Sequence, residues 1–191
     1  MPASKVSDEV LMEKIAEVFR LYGYEGASIR LLSNATGLER ASLYHRFPGG
    51  KEQMAAAIVA WTCAWFEQNV FAPLKAAGSP PEKVQHVAAN LREFYRRGTL
   101  WCVLDAMTLG GGTGELRDAI RQAYAAMLEA FERVAREAGM PAATARARAQ
   151  QALIEIEGSL VVARVTGDSK PFLRVVQTLP ALLGSGIQAN G

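Results

Sequence analysis

Apolar residues recur along almost the whole chain at the three-to-four-residue spacing of an α-helix, and nowhere in the strict alternation of a half-buried strand. The first such run, Leu11, Ile15, Val18, Phe19 and Tyr22, predicts a helix over 8–22, with Ser7 as its N-cap and Gly23 just past its end. After a connector over 23–27, Ser28 caps a second, short helix carrying Ile29, Leu32 and Ala35 inward. Thr36-Gly37 ends it, and a third begins almost at once with Leu38, Leu43 and Phe47 available for the core. Pro48-Gly49-Gly50 then breaks the chain, and Lys51 opens a long helix with Met54, Ile58, Trp61, Trp65 and Phe66 on its inner side.

The same reading continues to the end. Gly78-Ser79-Pro80-Pro81 supplies a break, a cap and a proline at the first helical position, ahead of Val84, Val87, Leu91, Phe94 and Tyr95. The run 100–109, LWCVLDAMTL, predicts a short buried helix whose one charge is Asp105, followed by a glycine loop over 110–112. Thr113 caps a helix with a stripe of Leu116, Ile120, Tyr124, Met127, Leu128, Phe131 and Val134, stopped by Gly139 and Pro141. An alanine-rich helix over 143–166 follows. The last helix starts at Pro171, buries Phe172, Val175, Val176, Leu179, Leu182 and Leu183, and is expected to kink or shorten at Pro180. The fold class is therefore all-α.

The close junction at Thr36-Gly37 sets the second and third helices steeply across one another, as in a helix-turn-helix. With Leu43 and Phe47 inward, the third helix presents Arg40, Ala41, Ser42, Tyr44, His45 and Arg46, a set of donors, small contacts and a basic tip that suits a DNA major groove. Ser28 and Arg30 at the start of the second helix, and Lys51 at the start of the fourth, are placed to reach phosphates.

Charge narrows this picture. Lys and Arg number 21 against 19 Asp and Glu, a net +2, so the chain is no polycation and its affinity for nucleic acid must be local. Half the residues are hydrophobic, which calls for a packed core. Cys63 and Cys102 lie in apolar runs without short-spaced partners and read as structural thiols in a reducing compartment. The start of the chain lacks a signal-peptide pattern and no stretch is apolar enough to span a bilayer, so no membrane association and a cytoplasmic location are expected.

Catalytic chemistry finds little footing. His45 and His86 are far apart and have no metal-ligand spacing, so no metal, cofactor or catalytic residue is expected. Gly110-Gly111-Gly112 lacks the Lys-Ser/Thr of a phosphate loop, and Gly184-Ser185-Gly186 reads as a tail rather than a nucleophile elbow. Trp61, Trp65, Phe94, Trp101, Cys102, Met107, Tyr124, Met127 and Phe131 come from several predicted helices; such stripes serve either a plain core or a pocket for a small molecule, with Asp105 among the polar groups able to orient it. The last two helices combine small residues with apolar faces. Leu153, Ile156, Gly158, Leu160, Val161, Phe172, Val176 and Leu179 are the candidate dimer surface, since one helix-turn-helix on one half-site binds weakly.

Ser28-Ile29-Arg30, Ala35-Thr36-Gly37-Leu38, Ser42-Leu43-Tyr44-His45-Arg46-Phe47 and Lys51-Glu52-Gln53-Met54 together resemble the N-terminal domain of TetR-family transcriptional repressors. The resemblance departs from the family at Glu39, where a capping serine is frequent, at Ala41, where glycine is frequent, and at Pro48-Gly49-Gly50, which is one residue longer than usual. It implies a helix-turn-helix DNA-binding domain over 1–50 and a helical-bundle domain over 51–191 that holds an effector between its helices and dimerises through its last two. The implied function is a homodimeric, ligand-responsive regulator, most simply a repressor, that binds a palindromic double-stranded operator and is released by a small apolar or aromatic effector. A thiol-based redox regulator and a helical protein-interaction adaptor are the alternatives.

Overall fold

The computed structural model describes residues 7–108 and 113–185. Its helices are α1 (Asp8–Gly26), α2 (Ile29–Thr36), α3 (Arg40–Arg46), α4 (Gly50–Phe66), α5 (Ala72–Lys75), α6 (Pro80–Phe94), α7 (Val103–Thr108), α8 (Gly114–Glu137), α9 (Ala142–Thr166) and α10 (Lys170–Gly184), with no strand among the described residues. The glycine loop at 110–112 lies outside them. Packing divides the chain into two units, Met1–Cys63 with Cys102–Arg121, and Ala64–Trp101 with Gln122–Gly191. The first unit therefore extends past residue 50 and takes in α7, which packs on α1.

In the first unit, Ser7 Oγ accepts from the Val10 N–H at 3.3 Å and starts α1, whose Leu11, Ile15 and Phe19 are fully buried with Leu32 of α2, Leu43 of α3 and Met54 and Ile58 of α4. Tyr22, an expected inward position, is 49% exposed, whereas Tyr24 is 8% exposed. The backbone leaves helical geometry at Gly23 (φ 65°), and the displaced chain lays the Tyr24 ring parallel to Phe19, with centroids 6.3 Å apart.

In the second unit, α4 does not run on regularly to Gly78. Glu67–Phe71 forms a π-helical turn before α5. Side-chain amides supply hydrogen bonds there: Asn69 Nδ2 donates to the Trp65 carbonyl at 2.9 Å, and Asn90 Nδ2 of α6 donates to the Asn69 carbonyl at 2.8 Å. Ser79 and Glu82 close a capping box at the head of α6, with the Ser79 N–H and Oγ both donating to Glu82 Oε2, at 3.1 and 2.7 Å. Those two bonds hold the Glu82 carboxyl below its ordinary range. Lys83, 8% exposed, pairs with Glu137 at 2.6 Å and ties α6 to the end of α8. α10 packs on both α6 and α9.

Pro180 does not shorten α10, which continues to Gly184. Gly184 is the buried last residue of that helix, not the start of a tail: a Cβ there would lie 2.6 Å from Pro81 Cα, so only glycine lets the ends of α10 and α6 approach this closely. No described helix is long and apolar enough to cross a membrane.

Candidate nucleic-acid interface

Two side chains, Thr36 and Ser33, build the turn between α2 and α3. Ser28 Oγ accepts from the Leu31 N–H at 3.2 Å and starts α2, and Gly37 ends it in the left-handed region at φ 71°. Thr36 Oγ1 donates to the Leu32 carbonyl at 2.7 Å and accepts from the Leu38 N–H at 3.3 Å, while Ser33 Oγ donates to the Leu38 carbonyl at 2.6 Å. These bonds fix the chain at Leu38, just ahead of α3. Glu39 takes the N-cap backbone conformation but makes no side-chain capping bond.

Leu43 is the buried residue of α3, with Phe47 half-buried behind it. Arg40, Ala41, Ser42, Tyr44, His45 and Arg46 are all exposed on its outer side, as are Ser28 and Arg30 on α2. A helix of only seven residues gains little from its own hydrogen bonds, so its position depends on Leu43, Phe47 and the turn. Arg46 forms an ion pair with Asp8 of α1. Both partners are accessible, so a phosphate can displace the carboxylate at small cost.

Gly50 sits under Tyr44: a Cβ on it would lie 3.3 Å from Tyr44 Cε1. The Gly49 N–H donates to Gln53 Oε1 at 2.8 Å, which closes the first turn of α4. Lys51 follows with its ammonium 4.5 Å from the centroid of the Tyr24 ring. This cation–π contact holds the charge at the helix N-terminus. Burial first, then Glu52 and Glu25, raise the pKa of the Tyr24 hydroxyl, so the ring below Lys51 stays neutral.

The expected effector residues are divided between the units. Trp61, Cys102, Asp105 and Met107 belong to the first and Trp65, Phe94, Trp101, Tyr124, Met127 and Phe131 to the second. Trp65 lies on Phe94 with centroids 4.1 Å apart, and Tyr95 and Phe172 continue the aromatic row. Trp101 is covered by the Arg164 guanidinium at 5.7 Å. Met127 and Phe131 are buried core. A groove of about 570 Å³ in the second unit holds none of the ten; it is lined by α9 and α10 residues such as Arg148, Gln151, Glu155 and Thr178. Among the described residues no His, Cys, Asp and Glu cluster could hold a metal. Cys63 and Cys102 are not joined in a disulfide, and burial pushes the Cys63 thiol pKa up, away from the thiolate that redox sensing requires.

The expected dimer residues separate by burial. Ile156, Leu160, Phe172, Val176 and Leu179 lie in the protomer's own core and cannot be offered to a partner without unfolding it. Gly158 and Val161 are exposed and Leu153 half-exposed. Sequence reasoning missed their neighbours: Ile154, Val162 and Val165 are 70%, 45% and 76% exposed. Positions 154, 158, 161, 162 and 165 fall on one face of α9, a spacing present in the sequence but masked because this helix is apolar on two sides.

Residues 11–58 match the model of the bacterial regulatory proteins of the tetR family, and residues 80–178 match the C-terminal domain of LmrA/YxaF-like transcriptional regulators. The chain belongs to the TetR family. Its relatives include the HTH-type transcriptional regulator LmrA of Bacillus subtilis, 26% identical over 184 residues that cover 93% of this chain and 96% of LmrA. YxaF of the same organism, an uncharacterized HTH-type regulator, is 23% identical over 181 residues, 93% of this chain and 95% of YxaF. Among solved structures, a TetR regulator from Legionella pneumophila superposes with a TM-score of 0.78 at 19% identity, covering 96% of this chain and 100% of that one. The TetR family regulator CifR, a cysteine mutant solved with 26 bp double-stranded operator DNA, has a TM-score of 0.72 at 25% identity, covering 93% of this chain and 97% of that one. This TetR-family protein is thus a transcriptional regulator with an N-terminal helix-turn-helix DNA-binding domain.

Proposed function

We propose that this TetR-family regulator is a cytoplasmic, ligand-responsive repressor that binds a palindromic operator as a homodimer and leaves it when a small, flat, largely apolar molecule enters its effector-binding domain. The observation that carries the reading is the presentation of α3: Leu43 anchors it while six neighbours stand in solvent, flanked by Lys51 at the head of α4. Arg40, Ser42 and His45 are the base-reading set, and Ser28, Arg30, Tyr44 and Lys51 the phosphate-positioning set, with Arg46 joining them once released from Asp8. The CifR complex with operator DNA supports this use of the domain.

The exposed α9 stripe of Ile154, Gly158, Val161, Val162 and Val165 is the dimer surface, because a contiguous apolar patch on a regulator that reads paired half-sites calls for a second copy. The partly buried Trp61 supplies flat apolar contact for the effector. Selecting bound sequences from random duplex DNA, then screening small aromatic compounds for release, tests the whole reading. Enrichment of an inverted repeat is the expected result. Enrichment of nothing, with binding that depends on salt alone, would overturn sequence-specific regulation by this chain.

A further inference from the structure

Threonines inside the helices of this protein generally turn their hydroxyls back onto the helix. Thr36 donates to the Leu32 carbonyl at 2.7 Å, Thr108 to Asp105 at 2.7 Å, Thr166 to Val162 at 2.8 Å and Thr178 to Val175 at 2.9 Å. Thr62 departs from this habit. It lies on the inner face of α4, one to two turns beyond the buried Met54, Ala55, Ile58 and Val59, and is itself only 1% exposed. Its Oγ1 is buried and has no hydrogen-bond partner. A buried hydroxyl without a partner destabilises the free protein, and the usual remedy, the carbonyl one turn back, is not taken.

We propose that the Thr62 hydroxyl is held for the effector, and that the effector is a neutral, flat, apolar molecule bearing one hydroxyl or carbonyl group. The inference rests on the effector-binding reading above and specifies it. A hydroxyl can both donate and accept, so either group satisfies it. Its helix face is otherwise apolar, and a charged substituent there would lose its hydration without a counter-ion. Trp61, one position back and about 100° round the helix axis, is partly buried, so α4 carries aromatic surface within a turn of the polar contact, though not on the same face. An effector satisfying Oγ1 removes a cost the free protein carries, and a hydrocarbon of the same shape does not.

The full-length chain and its Thr62→Val and Thr62→Ser variants test this, with 2-naphthol and naphthalene as probes of equal shape. Valine is isosteric with threonine, so Thr62→Val deletes the orphaned hydroxyl without a cavity; the free variant is expected to melt about 2–4 °C higher, or more, than wild type. By equilibrium dialysis, wild type and Thr62→Ser should prefer 2-naphthol over naphthalene, and Thr62→Val should lose about tenfold in that preference. A lower melting temperature for free Thr62→Val would show that the hydroxyl already has a partner and would overturn the inference. So would an unchanged 2-naphthol preference in Thr62→Val, which would leave the effector reading standing. Failure of wild type to bind either probe would overturn the aromatic-effector reading together with the inference drawn from it.

Discussion

Gly158→Arg separates the protomer from the proposed dimer more cleanly than any other substitution in the chain. Gly158 is exposed in the middle of α9, and a Cβ built on it meets nothing within 4 Å. The protomer therefore accommodates the arginine, and exchanging glycine for a good helix former inside a 25-residue helix should stabilise it by about 0.5–1 kcal/mol. The dimer has no such room. Packed helices lie about 8–10 Å apart, a spacing at a glycine contact that a long cationic chain cannot share. Overpacking costs about 1–3 kcal/mol at each site, and two-fold symmetry presents the site twice, so dimerisation should weaken by about 2–6 kcal/mol, at least 30-fold in the dissociation constant. Sedimentation velocity across a dilution series reads the association, and circular dichroism melting in the monomeric range reads the protomer. An undiminished dimer would place the interface away from this face of α9. A collapse of the protomer's helicity would refute the claim that the position is free.

Lys51→Ala should weaken binding to all duplexes alike and reduce the slope of log K against log salt by about 0.9, the loss of one phosphate contact, in a fluorescence-anisotropy salt titration. Arg40→Ala should cost about 1–3 kcal/mol on the selected operator if it reads a guanine, with relaxed preference at one position; an equal loss on every sequence would move Arg40 to the phosphate class. Ser79→Ala removes the Oγ bond to Glu82, leaves the backbone N–H bond in place, and should cost about 0.5–2 kcal/mol in urea unfolding. Because the folded-state pKa of Glu82 is lowered, its contribution is present above the ordinary carboxylate pKa and lost as the pH falls through the lowered one. The penalty for Ser79→Ala should therefore shrink in acid below the usual carboxylate range, and a pH-independent penalty would refute this. Operator DNA should weaken effector binding by the factor by which effector weakens operator binding; equal effector affinities with and without saturating operator would make the compound a bystander.

What the sequence discloses and what it hides follow from how local each signal is. Ser7, Ser28, Gly37 and Ser79 act within one turn of their own helix and take the predicted roles, while Glu82, which closes the box with Ser79, was not foreseen. The outward set on α3 was equally legible, since Leu43 and Phe47 fix the orientation of a helix only seven residues long. Tyr22 and Tyr24 exchanged places because the turn at Gly23 reorients the residues after it, which helical periodicity cannot register. Gly184 looked like a tail because its reason for being glycine, the approach of Pro81, lies a hundred residues away in sequence. The faces of α9 were ambiguous for a different reason. Ile156, Leu160 and Ala163 on one side and Ile154, Val161 and Val165 on the other are alike in composition, and only burial tells the core from the exposed face.

α4 gathers the residues through which a ligand could alter DNA binding. Lys51 stands in its first turn and Thr62 eleven residues on, about 16 Å along the axis at 1.5 Å per residue. Lys51 is held against Tyr24 by one cation–π contact, and α3 by Leu43, Phe47, the Ser33 and Thr36 turn bonds and the Arg46–Asp8 pair. A rotation of α4 would move the clamp, and Met54 and Ile58, buried in the same core as Leu43, would couple that movement to the recognition helix. The ligand must still supply the bias: changing operator occupancy from nearly full to nearly empty takes about 5.5 kcal/mol of difference in affinity between the two conformers, summed over the sites of a dimer. Two sites reduce that to under about 3 kcal/mol each, within reach of one satisfied buried hydroxyl and the burial of one aromatic face. In the proposed dimer the second copy would serve the switch as well as the reading of two half-sites, because it halves the selectivity each effector molecule has to provide.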